Sequence, residues 1–302
     1  MGKIAFVFSG QGAQYSGMGK ELYDSSPAAK KVFDVADKIR SNTSEQCFYG
    51  TKEELMQTIN TQPDVFCVDL AAAFALSEKG VKPDMAAGFS LGEIPALTFC
   101  GAFDLEDAFR FICKRAEFMD ECAGKKRGEM AAVLGLTALE VENLCKNIKN
   151  IYPVNYNCDT QTVVAGHAAG ILELAEQAKA LGGKVKKLEV SGAFHSPCMD
   201  EASEMIDKYL KNISFTFPSI PVYANFTAKI YNEKSLLSKQ INHAVLWNQT
   251  VKHMIEDGAD IFVEMGPGRV LTGLIKKISK DVRTYNVFDE ATLKSTAEEL
   301  IC

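Results

Sequence analysis

The chain has 302 residues, 47% of them hydrophobic and 24% charged, with a net charge of −6. That length fits one large domain, or a large one with a small companion, and the composition is that of an ordinary globular protein. The acidic balance argues against nucleic-acid binding, and no apolar run reaches the roughly 18 residues of a membrane-spanning helix. Nine cysteines are scattered without a C-x-x-C pair, and the four histidines lack finger-like spacing. Neither a disulfide framework nor a metal site is expected, and a reducing, cytoplasmic setting fits best.

Lys3–Phe8 is a short apolar run closed by the turn Ser9-Gly10-Gln11-Gly12. It is too short for a signal peptide and reads as a buried parallel strand. Helical periodicity follows over Lys20–Arg40 and Asp64–Glu78. Residues 84–88 read as a strand that enters Gly88-Phe89-Ser90-Leu91-Gly92, and Leu91–Phe99 continues as a helix whose first turns Pro95 should kink. Leu105–Cys122 is an amphipathic helix.

The rhythm then changes. Glu129–Leu136 reads as a strand, and Thr137 with Glu140 forms a capping box for a helix to about Asn150. Strands over Ile151–Asn157 and Thr160–Gly166, a helix over Gly170–Leu181 and a strand over Lys184–Val190 complete the order β-α-β-β-α-β. That is the ferredoxin-like unit.

From Ser196 the strand–helix alternation resumes, with a helix to about Leu210 and a strand over Ile220–Ala224. A helix around Val251–Glu256, a strand over Asp260–Glu264, the turn Gly266-Pro267-Gly268, a helix over Val270–Ser279 and a strand over Arg283–Phe288 follow. The charged tail from Asp289 either packs as a helix or frays. The expected fold class is α/β: a large α/β-hydrolase-like domain with a parallel sheet, and an inserted ferredoxin-like small domain. The large domain is discontinuous, made of residues 1–125 and 193–302, and the small one spans 126–192.

A G-x-S-x-G between strand and helix can expose a serine on a sharp turn, with helix N–H groups behind it for an oxyanion. Alone, the pattern fits a nucleophile or a glycine-rich turn around a buried serine. A nucleophilic Ser90 needs a base. His253 lies in a helical stretch and His167 in a loop of the small domain, whereas His195 stands in Gly192-Ala193-Phe194-His195-Ser196-Pro197, just before a helix. A helix N-terminus would help keep that imidazole neutral. No carboxylate stands out as a third triad member, which counts against an ordinary esterase.

Six stretches occur in order: Phe8-Ser9-Gly10-Gln11-Gly12-Ala13-Gln14, Thr61-Gln62-Pro63, Gly88–Glu93, Arg115, Ala193-Phe194-His195-Ser196 and Gly266-Pro267-Gly268-x-Val270-Leu271. Together they make the chain resemble the malonyl-CoA:acyl carrier protein transacylase family, the acyltransferases of fatty acid and polyketide synthesis. The resemblance spans essentially the whole chain. It implies ping-pong transfer of malonyl from malonyl-CoA through Ser90 to the phosphopantetheine thiol of acyl carrier protein, with His195 as base. It also implies an oxyanion hole from the backbone N–H groups of Gln11 and Leu91, and Arg115 as the clamp for the malonyl carboxylate, a role that suits a bidentate guanidinium. Phe89 and Phe194 would border the acyl pocket. A backbone carbonyl, that of His243, would orient His195. No cofactor or metal is implied, since the pantetheine travels with the partner, and a monomer is expected.

The chain departs from the family in two places. Phe89 stands where the family usually has histidine before the nucleophile, and His243-Ala244-Val245-Leu246-Trp247 replaces Asn-Pro-Val-x-Trp. An acidic carrier protein calls for a basic surface, for which Lys184, Lys186 and Lys187, or Lys276, Lys277 and Lys280, are candidates. The alternatives are a serine thioesterase or acyl-CoA hydrolase, a discrete polyketide-synthase acyltransferase with another extender unit, and an inactive carrier-binding scaffold.

Overall fold

The computed structural model describes residues 2–190 and 192–301, so Ser191, at the expected domain boundary, lies outside the described residues. The strands, in chain order, are β1 (Lys3–Phe8), β2 (Met85–Gly88), β3 (Glu129–Leu134), β4 (Ile151–Cys158), β5 (Gln161–Gly166), β6 (Lys184–Lys187), β7 (Val222–Tyr223), β8 (Ala259–Met265) and β9 (Arg283–Val287). They form a parallel sheet in the order β7-β2-β1-β8-β9 and a separate antiparallel sheet in the order β4-β5-β3-β6.

β1 shows why its sequence is a continuous apolar run. Ile4, Phe6 and Phe8 join the main core on one face of the sheet, while Ala5 and Val7 join Phe262 and Trp247 on the other. A parallel strand covered on both faces has no solvent side to leave polar. The antiparallel sheet divides its residues in the same way. Ala131, Val133 and Val164 pack under its own helices, Ala138–Asn147 and Ala168–Ala180, whereas Met130, Ala132 and Val163 join the main core. The Thr137–Glu140 capping box is present as read.

Several boundaries differ from the sequence reading, each for a local reason. The helix expected over Lys20–Arg40 is two helices, Lys20–Ser25 and Pro27–Ile39, because Ser26 caps the second and Pro27 takes its first position. The next long helix starts at Thr58 and carries Pro63 inside it. Short helices at Thr43–Tyr49, Lys52–Leu55 and Leu236–Asn242 had no strong periodicity to announce them. The helix expected from Leu91 starts later. Ser90–Gly92 is a 3-10 turn and the α-helix begins at Glu93, so Pro95 falls in its first turn, where an N–H has no helical partner anyway. The tail forms a helix, Glu290–Ile301, that buries Leu293, Ala297 and Leu300. No helix among the described residues is long and apolar enough to cross a membrane.

Strand register decides where chemistry can occur. Phe8 lies opposite Gly88 on one side and Met265 on the other, and Ala87 lies opposite Tyr223. The chain therefore leaves four adjacent strands at one level. The loops beginning at Ser9, Phe89, Ala224 and Gly266 meet at the carboxyl end of the sheet, where open parallel sheets place their sites.

Candidate active site

Ser90 sits at φ 54°, in the left-handed region, which costs a non-glycine residue on the order of 1 kcal/mol or more. The turn tolerates only glycine at its ends. A Cβ on Gly88 would lie 1.9 Å from the Gly92 carbonyl oxygen, and a Cβ on Gly92 would lie 2.3 Å from that of Phe8. The turn thus folds back on itself and rests directly on the end of β1. Asn225, just past β7, fastens it: its Oδ1 accepts the Ser90 N–H at 2.7 Å and its Nδ2 donates to the Gly88 carbonyl at 2.6 Å. The buried Glu93 carboxylate in turn accepts the Asn225 N–H at 2.7 Å and the Tyr231 hydroxyl. Burial pushes the Glu93 carboxyl up to about 7, against the pull of those hydrogen bonds.

His195 lies 105 residues further on, and its Nε2 is 2.7 Å from Ser90 Oγ. Its Nδ1 faces the Gln240 carbonyl at 2.8 Å. A carbonyl can only accept, so Nδ1 carries the proton and Nε2 is left to accept one from the serine. The orienting carbonyl expected at His243 is therefore chiefly that of Gln240, three residues earlier. Gln240 stands in the last turn of Leu236–Asn242, where helical carbonyls lack intrahelical donors. The His243 backbone adds a smaller contribution of the same sign. Burial, and after it the Arg115 charge, lower the His195 pKa to about 4. The imidazole is thus neutral at physiological pH because it is buried beside a cation. Like Ser90, His195 has a left-handed backbone, at φ 59°.

Arg115, from the helix Leu105–Lys125, is 1% exposed. It donates to Gln62 Oε1 at 2.6 Å and Gln240 Oε1 at 2.9 Å, and its Nη2 approaches Ser90 Oγ at 3.4 Å. All these partners are neutral, and Nε has none. Burial pulls the guanidinium down to about 10, while the Glu93 charge nearby pulls it up, so it remains a cation at neutral pH. A buried cation without a bonded counter-ion, a few ångströms from a serine hydroxyl, is a receptor for an anionic group.

The other residues singled out in the sequence are distributed as follows. Gln11 follows β1 in a loop that packs backbone to backbone on the nucleophile turn, since a Cβ on Gly10 would be 2.7 Å from the Phe89 carbonyl oxygen. Leu91 is buried in the 3-10 turn after Ser90. Gln11 also lines a cleft of about 700 Å³, with Tyr15, Lys52, Met56, Lys186 and Lys187 on its walls, which meets the site only at Gln11. The Phe89 ring is partly buried edge-on against Trp247, and Phe194 is buried in the main core. His253 is partly buried, bonded through Nδ1 to the Ala228 carbonyl. Where the family's proline is missing, Val245 bonds both ways to the small sheet: its N–H donates to Val154 and its carbonyl accepts from Tyr156. The adjacent Leu246 N–H donates to the Asn225 carbonyl at 2.9 Å.

Four positions escaped sequence reasoning as site residues. Gln62 lies in a quoted motif, and Glu93 is the one charge in an apolar helical run, so both carried a signal. Asn225, a polar residue just past a short strand, carried a weak one. Gln240, which binds Arg115, Ser90 and His195 at once through side chain and backbone, carried none.

Comparison with known proteins gives the family. Residues 5–294 match the acyl transferase domain family. The chain belongs to the acyl transferase family. Among curated relatives it is 38% identical to the malonyl CoA-acyl carrier protein transacylase of Bacillus subtilis, over 99% of this chain and 98% of that protein. It is 37% identical to the enzyme of the same name from Staphylococcus aureus strain MRSA252, over 95% and 96%. Among solved structures, the malonyl CoA-acyl carrier protein transacylase of Clostridium perfringens superposes with a TM-score of 0.95 at 35% identity, covering 99% and 97% of the two chains. A malonyl-transacylase solved in complex with its type II polyketide synthase acyl-carrier protein gives 0.94 at 32% identity, over 98% and 99%. The alignments span nearly the whole of this chain and of each of these relatives.

Proposed function

We propose that the protein transfers a malonyl group from malonyl-CoA to the phosphopantetheine thiol of acyl carrier protein through an acyl-serine on Ser90. The observation that carries this reading is the 3.4 Å approach of Arg115 Nη2 to Ser90 Oγ. In a malonyl thioester the carboxylate and the reacting carbonyl are attached to the same carbon. A cation and a nucleophile that are to hold them together must be this close, and an enzyme for neutral acyl groups has no use for the cation. The names of the relatives support the same substrate and carrier.

In the first half-reaction His195 Nε2 takes the Ser90 proton as Oγ attacks the thioester carbon. The N–H groups of Gln11 and Leu91 hold the oxyanion, and the tetrahedral intermediate collapses to expel CoA, whose sulfur takes the proton back from His195. In the second half His195 deprotonates the carrier's thiol. The sulfur attacks the acyl ester, and Ser90 leaves with the proton restored. Phe194 borders the acyl group, and the cleft at Gln11 takes the pantetheine arm. On this reading residues 1–125 and 193–302 form an α/β-hydrolase-like catalytic domain, and 126–192 a ferredoxin-like one. The enzyme works in the cytoplasm as a monomer, and the carrier approaches over Lys184, Lys186 and Lys187 or over Lys276, Lys277 and Lys280.

The test is to incubate the protein with labelled malonyl-CoA, isolate it and add carrier protein bearing its phosphopantetheine. Label that stays on Ser90 and then moves to the carrier is the expected result. Rapid release of free malonate would make the protein a hydrolase, and absence of label a scaffold.

A further inference from the structure

Asp69 is a buried acid for which the proposed chemistry gives no role. It sits inside the helix Thr58–Glu78 and is 0% exposed. Its Oδ1 accepts the Ser9 hydroxyl at 2.7 Å, and its Oδ2 has no partner. Burial, and after it the charge of Glu264, drive its carboxyl well above the usual carboxylate range. For folding alone an apolar side chain of that size would serve better than an acid with an unsatisfied oxygen.

What Asp69 touches gives it a role. A Cβ on Gly266, at φ 102°, would lie 1.6 Å from Asp69 Oδ1 and 2.7 Å from Ser9 Oγ. The acid is therefore wedged between the ends of β1 and β8, the two strands whose loops approach the nucleophile turn from one side. Ser9 is held on every face: its N–H donates to the Met265 carbonyl at 3.2 Å, its hydroxyl goes to Asp69, and its carbonyl lies against Gly92. Two residues later comes Gln11, between Gly10 and a Gly12 at φ 105°. A loop with glycine on both sides has much backbone freedom to lose. The same helix holds it at a second point, where Gln11 Nε2 reaches Thr58 Oγ1 at 3.5 Å.

We infer that Asp69 is a positioning residue for the oxyanion-binding loop, holding Ser9 so that the Gln11 N–H stays aimed at the carbonyl oxygen of the acyl group on Ser90. This rests on the acyl-transfer reading above. An oxyanion donor displaced by about 1 Å loses much of its effect in the transition state while substrate binding, governed by Arg115 and the cleft, is unchanged.

The test compares Ser9→Ala, Asp69→Leu and Asp69→Asn in the full chain, measuring the rate of Ser90 acylation by malonyl-CoA, the half-saturating concentration and the melting temperature. Ser9→Ala and Asp69→Leu are expected to slow maximal acylation roughly 10- to 100-fold and to move half-saturation less than about threefold. Combining them should cost no more than either alone, because both break one contact. Asp69→Asn retains an acceptor oxygen and should keep the rate within about threefold of the parent. If Ser9→Ala acylates at the parent rate, or if the two losses multiply, the inference is overturned; should Asp69→Leu fail to fold, Ser9→Ala and Asp69→Asn still decide. Failure of the parent protein to form an acyl-serine would instead overturn the acyl-transfer reading, so the two failures are distinct.

Discussion

The nucleophile turn and the guanidinium beside it are placed by opposite means. Ser90 and His195 both stand in loops with left-handed backbones, at φ 54° and 59°. Asn225 and Gln240 hold that conformation through bonds to the backbone around Ser90. Arg115 stands in an ordinary helical turn with no backbone strain, and its cost is electrostatic: a cation 1% exposed whose bonded partners are all neutral. On the acyl-transfer reading, the reactive pair thus carries a conformational cost and the specificity group a cost of charge burial. Both are stability given up locally, and each can be recovered by a substitution that removes only its own kind of cost.

The largest effect tests the strained half. Ser90→Gly keeps every backbone bond of the turn and accepts positive φ without penalty, so it should abolish acyl-enzyme formation while raising stability by about 1 kcal/mol, some 2 °C in melting temperature. A lower melting temperature would mean that the turn is not strained. Next is the charged half. Arg115→Met removes the cation but leaves Gln62 and Gln240 acceptors unpaired, so the melting temperature should change by no more than about 4 °C. Malonyl loading should fall roughly a thousandfold, about 4 kcal/mol, while loading of a neutral acetyl group is maintained or improved. Equal losses for malonyl and acetyl would show that Arg115 shapes the site rather than holding the carboxylate.

How much of this was readable beforehand follows the same division. Ser90, His195 and Arg115 were legible because glycines, a pre-helix loop and the order of six stretches mark them. The parallel sheet and the β-α-β-β-α-β order of the second sheet were legible because apolar runs and a capping box are local signals. Asn225 and Gln240 were much less so, because each side-chain amide grips a turn more than a hundred residues away, a contact that local sequence does not encode. The orienting carbonyl was placed at His243 for a related reason. A carbonyl has no side-chain signature, and only the end of the unheralded helix Leu236–Asn242 shows that Gln240 offers it. The late start of the helix that holds Pro95 has a simpler cause: a 3-10 turn at Ser90–Gly92 moves it by two residues.

The two halves also meet electrically, which pH can expose. His195 works as a base only when neutral, and its pKa is held near 4 by burial first and the Arg115 charge second. Single-turnover acylation should therefore hold steady from neutral pH down to about 5 and fall by half near 4. In Arg115→Met, assayed with acetyl-CoA, the acid limb should move to higher pH, because one of the two causes is gone. Folding stability has the same sign: His195 takes up a proton in the unfolded chain from about pH 6.5 but in the folded one only near 4, so its contribution is lost as pH falls through that window. A limb that does not move in Arg115→Met would mean that burial alone sets the base.

The smallest effect concerns the residue beside the nucleophile. Phe89 lies next to Ser90 in sequence, and its ring packs against the apolar cluster behind the sheet, 5.5 Å from Trp247 with the planes at 70°. Its backbone supports the turn: the N–H donates to Phe8 at 3.0 Å and the carbonyl accepts from Gly92 at 3.0 Å. Neither bond depends on the side chain. Phe89→His should therefore cost about 1 kcal/mol of ring packing, read as a melting temperature about 2 °C lower, and leave malonyl transfer within about tenfold of the parent. A collapse in transfer with the melting temperature intact would place Phe89 with Arg115 as a group that acts on the acyl chain itself. The expected outcome instead makes Phe89 a residue whose backbone, not its side chain's chemistry, keeps Ser90 where His195 can reach it.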